Sequence, residues 1–210
     1  MKAEEAADAK RISESSTLNA DQRTADGGVR VGVGHRKVRS EGMLTWCTGA
    51  SPSSWPAPWA ESACALFKSE TGEIYTPTGL AALPVPTWEG NLLLLEHDRD
   101  EDLQALPHDR LRGLMWSTPF QERDLRIVAF AVDGTLQSQG HGGRAWNLAV
   151  KAGLKHGLSG IRLEVRADSE RAIEFYQRRG LEAVEELRDY YRTGIGWLMT
   201  GSLRDALGEG

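Results

Sequence analysis

Gln137, Ser138, Gln139, Gly140, His141, Gly142 and Gly143 form the stretch whose residue types and spacing could do chemistry. Glycines let a backbone approach a ligand with no Cβ in the way. Where such a turn opens a helix, unpaired N–H groups and the positive end of the helix dipole face whatever lies in front. The stretch therefore reads as a cradle for phosphate.

The elements that must position this cradle surround it. Residues 125–132 are almost wholly apolar after Arg126, which predicts a strand in mid-sheet, covered on both faces. Ala145, Leu148, Ala149 and Ala152 then recur at three- and four-residue spacing, as one side of a helix that Gly157 would stop. His156, near that stop, is expected to meet the helix dipole rather than to catalyse. A second strand, 161–166, places Leu163 and Val165 on one face and Arg162, Glu164 and Arg166 on the other. A short helix, 170–179, carries Tyr176 and ends at Gly180. Strand, anion site, helix, strand and helix follow one another with no room for another domain.

The whole chain sets wider bounds. Its 210 residues carry a formal net charge of −5, which argues against a nucleic-acid binder. No apolar run is long enough to span a bilayer, so no membrane partner is expected. Cys47 and Cys64 have no metal-ligand spacing and no histidine cluster beside them, so no metal is expected. With no signal peptide in view, reduced thiols in a cytoplasm are the expectation.

Residues 1–27 hold almost no large apolar side chains and are expected to be a disordered tail, followed by a single domain over 28–202 and a C-terminal tail over 203–210. Val29, Val31 and Val33 alternate as in a strand. Ser40 would cap a helix carrying Met43, Leu44 and Cys47. Residues 60–68 suggest a helix with Ala63, Leu66 and Phe67 on one side, its entrance marked by prolines. Residues 68–90 read as a long loop, of the kind that is often functional. Strands are predicted at 91–96 and 111–116, with a charged turn over 97–102. Residues 181–187 and 195–200 can pair antiparallel around a turn that carries Tyr190 and Tyr191.

The string AVDGTLQSQGHGGRA resembles the acyl-CoA pyrophosphate loop of the GCN5-related N-acetyltransferases (GNAT), with Gln137, Gly140 and Gly142 at the positions of its Gln/Arg-x-x-Gly-x-Gly/Ala pattern. LEVRADSERAIEFYQRRGL resembles the fifth strand and following helix of that fold. RDYYRTGIGWLM resembles the tyrosine-bearing hairpin of its protein N-terminal members, nearest the ribosomal-protein alanine N-acetyltransferases and their archaeal relatives. The likeness runs over residues 130–199, about a third of the chain; residues 68–110 are unlike the family pattern.

The resemblance implies a mixed α/β fold, a mostly antiparallel sheet split at its fourth and fifth strands and flanked by helices. It implies acetyl-CoA as co-substrate, its pantetheine arm along the backbone of Phe130, Ala131 and Val132 and its pyrophosphate on Gln137, Ser138, Gln139, Gly140, His141, Gly142 and Gly143. Ser169, at the start of the Tyr176 helix, stands where the family usually has Asn; it can still cap that helix but reaches CoA less well. Glu164 is implied as the base that takes a proton from the acceptor amine, and Tyr176 as the acid that protonates the departing thiolate. Residue alternation alone makes Glu164 a surface carboxylate paired with Arg162 or Arg166. Tyr190 and Tyr191 would line the acceptor entry.

The acceptor is expected to be a protein N-terminal α-amine, attacked directly in a ternary complex. A small amine such as a polyamine, amino acid or antibiotic is the alternative, and an acidic groove from Glu96 to Asp102 would favour it. A non-catalytic acyl-CoA-binding module is the third reading. The protein is expected to be a monomer or homodimer.

Overall fold

The computed structural model describes residues 42–188 and 194–207. The expected tail at 1–27, the strand of Val29, Val31 and Val33, the Ser40 cap, Tyr190 and Tyr191 lie outside these residues.

Seven strands form one sheet: β1 (Met43–Thr48), β2 (Leu92–His97), β3 (Leu111–Phe120), β4 (Asp124–Val132), β5 (Gly160–Arg166), β6 (Glu182–Leu187) and β7 (Gly196–Ser202). Their spatial order is β1-β2-β3-β4-β5-β7-β6. Among the described strands only β4 and β5 pair in parallel, and the helix α3 (His141–Lys155) makes the crossover between them. The four leucines at 92–95 are all buried and serve both faces: Leu92 packs in one core, Leu93 and Leu95 in the other.

The first core lies under α3 and α4 (Glu170–Gln177), where Trp146, Ala149, Val150 and Tyr176 cover Met115, Leu125, Ile127 and Leu163. The second lies under α1 (Ala57–Glu70) and α2 (Pro77–Ala81), where Ala63, Phe67 and Leu80 cover Leu114, Trp116 and Ala131. Each fully buried large apolar side chain contributes about 1.5–3 kcal/mol. The sheet is thus held between two helical layers, as mixed α/β folds require.

Several expectations change against this frame. Residues 43–48 are not a helix but strand β1, paired antiparallel with β2 from Met43↔His97 to Thr48↔Leu92. Thr45 and Trp46 suit a pleated surface, and the ladder overrides the helical spacing of Met43, Leu44 and Cys47. Leu148 is not on the buried side of α3 but 42% exposed, because Trp146 and Val150 turn the packed face away from it. The 68–90 loop is shorter than expected, since α1 runs to Glu70 and α2 interrupts the remainder. β3 extends past Trp116 to Phe120. A tight turn with Gln121 and Glu122 both at positive φ (48° and 62°) joins it to β4. Residues 203–207 are not a tail in this structure: Leu203 and Ala206 are fully buried, and Trp146 Nε1 donates to the Ala206 carbonyl at 2.7 Å.

Candidate active site

β4 and β5 pair only from Asp124↔Gly160 to Ile127↔Leu163. Val128 is the extra residue of a bulge, since β3 pairs Trp116 with Ala129 and Ser117 with Ile127. The bulge exchanges the faces of β4: Leu125 and Ile127 pack beneath α3 and α4, whereas Ala129 and Ala131 pack beneath α1. So β4 is mid-sheet as expected, but its burial alternates, with Arg126, Val128, Phe130 and Val132 only half-buried. Beyond the bulge the two strands part, and the β5-facing backbone of residues 128–132 has no strand partner among the described residues. At Phe130 this edge is open to an extended ligand bearing amides, while the Val132 carbonyl already accepts from Gln137 Nε2 at 3.1 Å.

At the far end of β4 the chain turns through a short 3₁₀ segment, Gly134–Leu136, into the glycine loop. Ser138 and Gly140 both have positive φ, 64° and 83°, and Gly140 is the N-cap of α3. No side chain caps this helix. The N–H groups of His141, Gly142 and Gly143 therefore face outward with the dipole behind them. Gln139 folds back, its amide donating to the Thr135 carbonyl at 2.8 Å. His141 is only 8% exposed, its carbonyl accepts from Trp46 Nε1 at 3.1 Å, and its Nδ1 has no partner among the described residues. Burial, helped by Arg144, holds its imidazole below the usual range, so it remains neutral and adds no charge to the loop. The residues fit a diphosphate: backbone donors, glycine clearance and no carboxylate on the loop itself.

Gly140→Val tests this geometry. A β-branched side chain at φ +83° is expected to cost about 1–2 kcal/mol of stability. Displacement of one charge-assisted N–H contact costs a further tenfold or so in CoA affinity. Calorimetric titration beside a melting curve reads both; unchanged affinity would place the diphosphate elsewhere.

Where β4 and β5 separate, a cavity of about 160 Å³ opens, lined by Val128, Phe130, Glu164, Arg166, Ser169 and Tyr176 together with Thr71, Glu73 and Tyr75. Glu164 and Tyr176, called from the sequence, are thus brought together. Tyr176 is 8% exposed and packs its ring on Trp146 and Phe175, with centroids at 5.6 and 5.3 Å. It lines the cavity beside Glu164. Burial pushes its phenol well above the usual range; Arg179 opposes this and Glu73 adds to it.

Glu164, its side chain 11% exposed, accepts from Arg126 Nη2 at 3.0 Å and Nε at 3.2 Å, with Arg162 Nη2 at 3.7 Å. The sequence offered Arg162 or Arg166 as its partner; Arg166 instead grips Asp168 at 2.6 Å. Arg126 reaches Glu164 because Arg126 and Arg162 are adjacent in the parallel register, a fact no local pattern contains. Ser169 stands at the N-cap of α4, but its hydroxyl makes no cap bond. Its φ and ψ of −90° and 60° turn the side chain out of capping geometry, and it lines the cavity.

Thr71, Glu73 and Tyr75 were missed in the sequence. After α1, Gly72 at φ +72° throws the chain across the cavity mouth, where the Tyr75 hydroxyl donates to Glu73 Oε2 at 2.8 Å. The alternation Thr71, Glu73, Tyr75 against exposed Gly72 and Ile74 is the signal that could have found them. Residues 96–102 line no part of this cavity; Glu96 is held by Arg112 at 2.6 Å. Among the described residues no group of three His, Cys, Asp or Glu could hold a metal ion. No described helix is long and apolar enough to cross a membrane.

The sequence pattern of the acetyltransferase (GNAT) family matches residues 60–181, more than half of the chain. The fold is similar to that of Ard1 from Thermoplasma volcanium, with TM-score 0.59 and 20% identity over 76% of this chain and 97% of that one. It is also similar to the ribosomal-protein-S18-alanine N-acetyltransferase from Escherichia coli, with TM-score 0.57 and 18% identity over 77% of this chain and 94% of that one. A GNAT family acetyltransferase from Elizabethkingia anophelis with acetyl-CoA bound gives TM-score 0.53 and 15% identity over 76% and 97%. At these identities the likeness is one of fold. No curated protein matches the chain in sequence.

Proposed function

The chain belongs to the acetyltransferase (GNAT) family, and from that premise we propose that it transfers acetyl from acetyl-CoA to the α-amine of a protein N-terminus. The observation that carries this choice of acceptor is the size of the cavity. At about 160 Å³ it is smaller than the roughly 300–1,000 Å³ of pockets that enclose a whole small molecule. It suits an acceptor whose reacting end is slim and whose remainder lies outside. A peptide that begins with a small residue is such an acceptor. Tyr190 and Tyr191, which lie between β6 and β7 in the sequence, are assigned in this reading to the entry side. Two structural neighbours, named as Ard1 and as an alanine N-acetyltransferase of a ribosomal protein, lend the proposal precedent on this fold.

In the proposed reaction acetyl-CoA supplies a thioester. The N–H groups that head α3 hold its diphosphate, and the open edge of β4 at Phe130 holds the arm that leads to the cavity. Ser169 faces that arm from the opposite bank. Glu164, paired with Arg126, accepts a proton from the acceptor through water; because an α-amine has a pKa near 8, a weak base suffices. Tyr176 holds its proton at neutral pH and gives it to the departing sulphur. Burial serves this role, since a phenol raised in pKa is wholly protonated when needed.

A second reading, a slim polyamine as acceptor, is favoured by one feature: Glu73 and Glu164 both line the cavity and could hold a second ammonium. The test is thiol release from acetyl-CoA with short peptides of varied first residue and with polyamines, amino acids and aminoglycosides in parallel. Release with peptides alone, strongest for Ala or Ser at the first position, is expected. Release only with polyamines would replace the proposal by the second reading, and silence with every amine while CoA still binds would leave a non-catalytic module.

A further inference from the structure

α4 approaches the glycine loop from across the cleft, and Arg171 within it and Arg179 just past its end meet the loop. Arg171, in the first turn of α4, donates through Nη1 to Gln137 Oε1 and through Nη2 to Ser138 Oγ, each at 3.0 Å. Gln137 passes the connection on: its Nε2 donates to the Val132 carbonyl at 3.1 Å and to Glu70 Oε2, at the end of α1, at 3.0 Å. Behind Arg171, Arg179 lies with its guanidinium 3.5 Å from the Phe175 ring centroid. Its Nη2 comes within 3.2 Å of where a Cβ on Gly143 would stand.

Several neighbouring arginines are paired: Arg126 with Glu164, Arg166 with Asp168, Arg178 with Glu174. Among the described residues neither Arg171 nor Arg179 has a carboxylate within ion-pair distance. Arg171 also sits in the first turn of its own helix and against the loop that heads α3, so two positive dipole ends surround a positive side chain. Such a cation is disfavoured there unless an anion joins it. Its present partners, an amide oxygen and a hydroxyl, are neutral and would yield to a doubly charged group.

We propose that Arg171 is a diphosphate-binding residue of this chain, a strap that spans the cleft from α4 and moves from Gln137 and Ser138 onto the diphosphate of CoA. The inference rests on acetyl-CoA occupying the cleft. It adds a side-chain half to the backbone half of the cradle, and it ties α4, which carries Tyr176, to the ligand. Removing Arg171 therefore weakens the diphosphate contact without touching the adenosine 3′-phosphate.

The experiment is calorimetric titration of wild type, Arg171→Ala and Arg171→Lys with CoA and with dephospho-CoA, each at low and high salt. Wild-type binding of CoA checks the underlying reading by itself; its absence would sink that reading first. Given binding, Arg171→Ala is expected to raise Kd about tenfold for both ligands and to flatten the salt dependence, because a screened ion pair has been lost. Arg171→Lys should recover only part, since a point charge cannot serve two oxygens as a planar fork does. Equal Kd in wild type and Arg171→Ala, or a raised Kd with unchanged salt dependence, would reduce Arg171 to a structural tie. Loss with CoA but not with dephospho-CoA would move it to the 3′-phosphate and overturn the assignment. Arg171 is exposed, so melting curves of the variants should match wild type.

Discussion

Tyr176→Phe is expected to lower kcat by about a hundredfold while leaving the KM for acetyl-CoA within about threefold of wild type. The magnitude is the low end of what a positioned general acid contributes. The variant is clean for structural reasons. The ring that packs on Trp146 and Phe175 is retained, so the melting temperature should hold. A kcat equal to wild type would reject Tyr176 as the acid; an equal fall in kcat and acetyl-CoA affinity would make it a binding residue instead.

The pH dependence sharpens this prediction. Burial raises the folded phenol above its unfolded value near 10. The folded form therefore keeps the proton while the unfolded chain loses it, and the associated stability is fully present below about pH 10 and lost as pH rises beyond it. Wild type and Tyr176→Phe should melt alike up to about pH 10, with wild type falling behind only above. Turnover of wild type should likewise show no alkaline loss from this group between pH 8 and 10. A downturn there that vanishes in the Phe variant would mean that the phenol ionises in the ordinary range, contrary to its burial.

The second large effect is expected at Glu164. In wild type the cluster of Arg126, Arg162 and Glu164 carries one net positive charge; Glu164→Gln leaves two, beside the place where an ammonium must dock. Both consequences act in one direction. The acceptor binds less well, and nothing takes its proton. At pH 7, kcat/KM should fall about 10- to 100-fold, with most of the loss regained near pH 9, where an α-amine is largely neutral on its own. Glu73→Gln should cost less than about threefold, because Tyr75 already occupies one of its oxygens. The reverse ranking of the two variants would transfer the proton-accepting role to Glu73 and return Glu164 to a structural ion pair.

The loop at Gln137 to Gly143, the strands on either side of it and the helix of Tyr176 could be read from the sequence because each is a local pattern. Glycines at a helix start, a period of two, a period of 3.6 and a glycine stop are all set by neighbours within a few residues. The same locality explains the failures. Residues 43–48 have helical spacing, yet they extend because β2 offers a ladder 49 residues later. Leu148 fits the apolar stripe of α3 but is left outside, since Trp146 fills the core beside Ala206.

What the sequence determined by itself was therefore the glycine loop with the strands and helices beside it, through residue types at fixed short offsets, while Glu164 and Tyr176 entered as candidates through the family resemblance. What only the tertiary structure decided was the company those residues keep. Glu164 is gripped by Arg126 because the parallel register sets Arg126 beside Arg162, which no one-dimensional pattern encodes. Thr71, Glu73 and Tyr75 join the cavity because α1 ends at Glu70 and Gly72, at positive φ, redirects the chain to where β4 and β5 part. Arg171 meets the cradle across the same opening. That opening exists because one bulged residue, Val128, breaks the ladder, and a ladder's end is a property of two strands together.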